Sequence, residues 1–463
     1  MVGSSTWQRI TGKSLVLAML SSGCGTTEAP APVAGTPSLD AAQADATTGA
    51  GTDAAAGTTD SVDAADQNSG QSDGGQPATG PAALCMAASE TTYAKEAMET
   101  QALIAVDDGH VLLGGSNYFI EKAYPAAGAW AARVDAGQKL LWQRDLRKDE
   151  QWRRAVHGAQ LADKSLVVVG YSDGELAPGG SFFVPFPRVI KLASDGKTLW
   201  TKAFTSNPLQ GRFAAMREDG NLQVVGVHAF HSDKVWLATL DANSGGTMDQ
   251  VHVTVANLYQ LVDIARHPSG AIGIAAASIT ASAGGSYQQH ALFTIIDPQT
   301  AKVFRDEKPE ADTVTAGMWP TAEGFAVVTS GPKKSAWSIQ AYAVSGAKVS
   351  SYPLKVEAGW AASLAVRGTT ANLHLLLEHR EPDKALALSH RWTVWSLTGQ
   401  RLADTPIDSK IGSPWSGGVV DGDSEVVLLG RWDTLSTGSS EATNPVSIGA
   451  KLARFKTSKP PCL

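Results

Sequence analysis

The sequence predicts an all-β protein: a seven-bladed β-propeller of four-stranded blades, its last blade closed by the N-terminal strand, preceded by a disordered tether. Three observations predict it. A hairpin unit typified by Arg188–Trp200 recurs along the chain. A second element, a turn followed by a short apolar strand often ending in glycine, precedes each copy. The composition changes abruptly near Leu84, from small polar residues to alternating Val, Leu, Ile and Trp.

From the N-terminus, Arg9 and Lys13 are followed by the apolar run Leu15–Leu20 and by Ser21-Ser22-Gly23-Cys24. Such a run is too short to span a bilayer. The stretch resembles a bacterial lipoprotein signal with its lipobox, although Leu20 lies one place further from the cysteine than the usual pattern. The resemblance implies a signal peptide over 1–23 and lipidation of Cys24. Acyl chains there would hold the protein on a membrane, each buried methylene adding ~0.8 kcal/mol.

Residues 24–83 are acidic and rich in Ala, Gly, Thr and Asp. They hold eight acids and no Lys or Arg, and Val62 is the one large apolar residue between Leu39 and Leu84. Such a segment cannot bury enough surface to offset its ordering entropy and is expected to be a disordered tether. A flexible chain of this length reaches roughly 40 Å. With the signal and tether set aside, the body over 84–463 is within one charge of neutral, which carries no electrostatic footprint for nucleic acid.

Within the body, the hairpin unit recurs at Arg133–Trp142, Thr239–Met248, Ile295–Phe304, Tyr342–Val349 and Trp395–Leu402. Its Asp195-Gly196 pair reads as a two-residue hairpin turn. The preceding turns end at Gly109, Lys164, Gly220, Gly270, Gly324, Ala371 and Asp423, spaced 55, 56, 50, 54, 47 and 52 residues apart. A period near fifty with four strands per copy marks a β-propeller. A lone four-stranded sheet cannot cover its two apolar faces, and radial stacking covers both. Asp241-Ala242-Asn243-Ser244-Gly245 is a good copy of a motif that resembles quinoprotein-like (PQQ-type) propeller repeats, over roughly residues 97–455. The seventh copy lacks a fourth strand, and the repeat offset places Cys85–Tyr93 there. Cys85 and Cys462 are then expected side by side as a disulfide.

Few residues of the sequence point to chemistry. Gly170-Tyr171-Ser172-Asp173-Gly174 matches G-x-S-x-G, but the nucleophile elbow needs a following helix, and Glu175-Leu176-Ala177-Pro178 breaks one; the match reads as a hairpin loop. His228 and His231, and likewise His374 and His379, are spaced so that a strand points them to opposite faces. Asp421–Glu425 reads as a turn. Asp173, Glu175 and Asp263 are candidate acids that the sequence cannot bring together. The quinoprotein-like resemblance would imply a quinone cofactor, but enzymes of that kind carry adjacent cysteines, which this chain lacks; no cofactor and no metal are expected. What remains is a set of aromatic residues at or near the ends of the loops that lead into the first strands and are expected to open on one face around the central channel: Trp152, Phe213, Tyr259, Trp319, Trp360 and Trp415, with Arg153, Arg154 and Arg212 beside some of them. These suit a sugar, a peptide or a partner protein, or pack as core between blades.

The expectation is thus a non-catalytic protein- or glycan-binding scaffold. It would be monomeric, held by a lipid anchor on the outer membrane, at the cell surface or on the periplasmic side. In general plan it also looks like the propeller lipoprotein of the barrel assembly machinery. The rival is a propeller enzyme, quinoprotein dehydrogenase-like or a polysaccharide-active hydrolase or lyase, using the channel mouth.

Overall fold

The computed structural model describes residues 84–94, 99–115, 128–147, 152–176, 183–204, 209–228, 234–255, 258, 260–281, 287–306, 313–331, 336–367, 372–380, 388–407, 415–421, 425–434 and 447–457. The signal, Cys24, the tether, Tyr259, His231 and Cys462 lie outside them. Among the described residues the protein is all-β and antiparallel throughout.

Strands follow one another as up-and-down sets of four. The first comprises β2 (Glu99–Val106), β3 (Gly109–Gly115), β4 (Trp130–Asp135) and β5 (Leu140–Asp145). The second comprises β6 (Trp152–Gln160), β7 (Leu166–Leu176), β8 (Phe183–Leu192) and β9 (Thr198–Ala203). A Gly115–Arg154 pairing joins these two into one eight-stranded sheet. Four-stranded sheets follow. One holds β10 (Leu209–Met216), β11 (Leu222–His228), β12 (Lys234–Leu240) and β13 (Thr247–Thr254). The next holds β14 (Gln260–Arg266), β15 (Ile272–Ala281), β16 (Tyr287–Asp297) and β17 (Lys302–Asp306). Then come β18 (Thr315–Pro320), β19 (Gly324–Ser330), β20 (Trp337–Ala343) and β21 (Lys348–Leu354). After them come β22 (Trp360–Arg367), β23 (Asn372–Arg380), β24 (Leu388–Ser396) and β25 (Arg401–Ile407). The final sheet is β26 (Trp415–Asp421), β27 (Glu425–Thr434) and β28 (Ser447–Thr457), and its fourth strand is β1 (Leu84–Ala94), from the other end of the body.

The core lies between consecutive sheets. Val224, Trp236 and Leu240 pack on Val167, Val189 and Phe204 of the preceding set. Ile264, Ile274 and Leu292 pack on Val225, Leu237 and Val253. Leu373, Leu375 and Trp395 pack on Val328, Trp337 and Ile339. Leu103, Leu112 and Trp130 of the first set meet Val427 and Leu452 of the last. First strands also touch in cyclic order: β2 lies against both β6 and β26, and β10, β14, β18 and β22 complete the series.

Each first strand carries a β-bulge. The extra residues are Gln101, Val156, Arg212, Val262, Ala316, Ser363 and Ser416, with a further one at Arg153 in β6. A bulge sharpens the local twist and re-aims the side chains after it. Glycines on the second strands permit close approach here: a Cβ on Gly170 would lie 1.9 Å from the Arg154 carbonyl oxygen, and one on Gly115 would meet Arg153 and Arg154.

One turn differs from its expectation. Asp195-Gly196 is not a two-residue hairpin. Gly196 N–H donates to Ala193 O and Ala193 N–H to Lys197 O, and only Gly196 of the pair has positive φ, 86°. The wider turn with a glycine bulge absorbs the register shift between Lys191 and Leu192.

Candidate binding face

The sheets give the molecule two unlike faces. On one, first strands lead to second strands and third strands to fourth through short turns such as Ala193–Lys197 and Asp241–Gly246. On the other, first strands begin and second strands end. The connections there include 116–127 and 177–182, which lie outside the described residues.

At this second face the sheets of β6–β9 and β10–β13 gather four arginines. Arg153 and Arg154 open β6, Arg212 is the bulge residue of β10, and Arg188 lies on β8. Arg153, Arg154 and Arg212 are all buried. Arg154, Arg188 and Arg212 lie about Tyr171 and Ser172 of β7. The Arg212 guanidinium lies 5.2 Å from the Tyr171 ring centre, Arg188 Nε donates to Ser172 Oγ at 3.0 Å, and Trp152 and Arg154 pair in register with Ser172 and Tyr171. Arginine tolerates such burial because its delocalised charge is weakly hydrated and stacks on aromatic rings. A gathering of guanidinium groups on an aromatic platform recognises carboxylate, sulfate or phosphate.

The aromatic residues expected to form the face divide. Trp152, Phe213 and Trp319 are buried in the layers between sheets, and at this burial they present no ring face to a ligand. Trp360, partly buried, packs on the core with its ring 5.1 Å from the Arg391 guanidinium and 5.3 Å from the His379 ring. Around it Glu357 and Asp404 pair with Arg391 and Arg401: Arg401 lies 2.5 Å from Glu357 and 3.0 Å from Asp404. Trp415 opens β26; its side chain and the whole of Tyr259 lie outside what is described.

Other motifs resolve by position. Ser172 is not in a hairpin loop as the sequence suggested. It sits within the extended β7, fully buried, because the cross-strand pairing with β8 runs past it to Leu176. His379 stacks on Trp360 while His374 is buried against Trp392. Asp421 and Glu425 pair across a hairpin. Among the described residues no three His, Cys, Asp or Glu side chains cluster closely enough to hold a metal ion.

Asp263 is partly buried between first strands. Its carboxylate accepts the N–H of Met318 on β18 (2.9 Å) and of Ile264 (2.8 Å), and burial pushes its carboxyl up to about 6. His157 holds the matching place on β6: Nδ1 accepts the N–H of Ala214 on β10 at 3.3 Å, and burial lowers the ring to about 4. Both are the residue directly after the bulge. On β23 and β24, Glu378 and His390 face each other at 3.4 Å, both sealed from solvent. Neither the Arg188–Ser172 contact nor the roles of these groups were legible beforehand. Their one signal was a charged residue interrupting an apolar strand.

No family model matches the chain, and no curated protein does. Solved structures with a similar course are a quinohemoprotein alcohol dehydrogenase from Pseudomonas putida (10% identity, 82% of this chain and 77% of that one, TM-score 0.42), the Dos1 propeller (10%, 81% and 95%, 0.41) and a protein of unknown function from Dyadobacter fermentans (11%, 80% and 99%, 0.45). Likeness at this level says nothing of activity or partner.

Proposed function

We propose that the chain is a seven-bladed propeller, tethered through lipidated Cys24 in the cell envelope, and that it works as a non-catalytic scaffold binding an acidic glycan or protein segment on the face where the first strands begin. The observation that carries this is Arg188, the partly exposed member of the group, held on Ser172 with Arg154 and Arg212 buried behind it about Tyr171. The cyclic contacts of the first strands and the closing place of β1 support the ring.

The test uses full-length protein and soluble polyanions, polygalacturonate and polyglutamate, with neutral dextran as control. Binding should favour the polyanions and weaken as salt rises, since exposed charge–charge attraction is screened within about 10 Å at 0.1 M. Arg188→Gln and Arg188→Ala should each lower affinity about ten-fold or more, a charge-assisted contact contributing ~1.5–3 kcal/mol. Equal binding of dextran, or variants that keep their denaturation midpoint and their affinity, would remove the reading.

A further inference from the structure

Among the described residues the exposed large apolar side chains are Leu140, Leu141, Leu199, Met248 and Val349, between 42% and 59% accessible. Every one occupies the first or second position of a fourth strand, in β5, β9, β13 and β21. They therefore share one rim, on the face of short turns, opposite the arginines. Scattered single apolar residues need no explanation; the same place filled in four sheets does.

Lysines stand beside them. Lys139 precedes Leu140, Lys197 lies two residues before Leu199, and Lys348 precedes Val349, all exposed. The acids of this face are mostly folded back onto their own turns. Asp195 accepts the Lys197 N–H and pairs with its ammonium at 3.0 Å. Asp241 accepts from Asn243 and Ser244, Asp135 from Lys139, and Asp297 from Gln299. Asp249, beside Met248, is exposed. The rim is thus apolar first, with lysine ammonium groups at its edge rather than a polybasic patch.

The chain enters the body at this same rim. Leu84 pairs with Thr457, the last residue of β28. In the other sheets that place belongs to Leu140 opposite Val134 or Thr198 opposite Leu192. Residues 24–83 therefore join the body on the turn face.

We infer that this turn-face rim rests on a phospholipid bilayer, inserting Leu140, Leu141, Leu199, Met248 and Val349 among the headgroups while the neighbouring lysines reach the phosphates. The face carrying the arginines then points away from the membrane. The inference deepens the tethered-scaffold reading and rests on it for the choice of membrane, but the contact itself needs no acyl chain.

The experiment therefore uses the full chain with Cys24→Ser, mixed with vesicles of phosphatidylethanolamine containing about a quarter phosphatidylglycerol, and measures co-sedimentation. Partitioning is expected, with about a five-fold loss for each of Leu199→Gln and Val349→Gln and a hundred-fold loss or more when Leu141→Gln and Met248→Gln are added. These side chains are exposed, so urea midpoints should not move. Absence of partitioning by the Cys24→Ser chain, or partitioning that ignores the substitutions, overturns the inference and leaves the anchor untouched. So does a parent that sediments as a dimer, binds no vesicle and becomes monomeric on substitution, since the rim would then seat a second copy. The anchor is read separately, from the mass of the mature N-terminus.

Discussion

Asp263 and His157 occupy one position in two sheets and answer pH in opposite senses. Asp263 keeps its proton up to about pH 6 in the folded chain, against an ordinary carboxyl near 3.8. Folding therefore binds a proton between these values, and stability falls as pH rises through them. Above pH 6 the buried carboxylate costs about 3 kcal/mol relative to an unburied one. His157 stays neutral down to about 4 while the unfolded ring takes its proton near 6.5, so stability is lost as pH falls through that window, again by about 3 kcal/mol. Protonation would also set Nδ1–H against the Ala214 N–H it now accepts. Between pH 4 and 6 the two slopes oppose. Asp263→Asn keeps an oxygen for the Met318 N–H and removes the charge. It should raise stability by about 2 kcal/mol above pH 7 and expose the acid lability of His157 below 6, as a urea midpoint that now falls steadily from pH 6.5 to 4. An unchanged midpoint at pH 8 would refute the buried-carboxylate account. Neither role was legible in the sequence. Strand alternation assigns faces by counting in twos, and a bulge just before each residue breaks the count.

The element that recurs is a fourth strand docked on the next sheet's turn. The Trp142 indole lies against Gly196 and donates to Ser194 O at 2.9 Å, with Arg133 donating to the same oxygen at 2.8 Å. One repeat on, Trp200 lies against Gly245 and donates to Ala242 O at 3.2 Å, joined by Lys191. A Cβ at Gly245 would stand 2.7 Å from the Trp200 ring, and φ there is +70°. Gly220 shares the conformation, φ +79°, with nothing within 4 Å. Gly220→Ala should therefore cost only the left-handed backbone penalty, ~1–2 kcal/mol, and Gly245→Ala that plus a displaced tryptophan, ~1–3 kcal/mol more. Equal losses in thermal melts would mean the docking holds nothing. The turn and the tryptophan were visible beforehand, as Asp195-Gly196 and Trp200 of one hairpin unit, because turn chemistry is local. The destination of the tryptophan was not, because it lies on the neighbouring repeat. The same gap explains Trp152 and Phe213: an aromatic residue on a first strand reads identically whether it faces a ligand or, as here, a neighbouring sheet, the preceding one for Trp152 and the following one for Phe213.

At the scale of the molecule, the two ends of the body share one sheet. β1 pairs with β28 from Leu84–Thr457 to Ala94–Gly449, and the apolar layer of Leu103, Leu112 and Trp130 against Val427 and Leu452 joins the first set to the last. The repeat offset in the sequence anticipated this pairing, since a missing fourth strand can be counted. The expected Cys85–Cys462 bond is a further step, because Cys462 lies outside the described residues. Cys85 pairs with Lys456, six residues before Cys462, a separation that a few residues of chain cover at ~3.3–3.6 Å each. Closing so long a loop would stabilise by roughly 6 kcal/mol at most. Non-reducing digestion should then recover one peptide pair through these two residues, and two alkylatable thiols would end the idea. Strand and bond can be separated. Cys85→Ser removes only the bond and should lower the denaturation midpoint while leaving a monomer. Deleting 84–94 bares the edge of β28, and a bare edge pairs with other chains, so that variant should aggregate even under reducing conditions, where the parent does not. A deletion variant that stays monomeric and as stable as reduced parent would show that β1 is not what closes the last sheet.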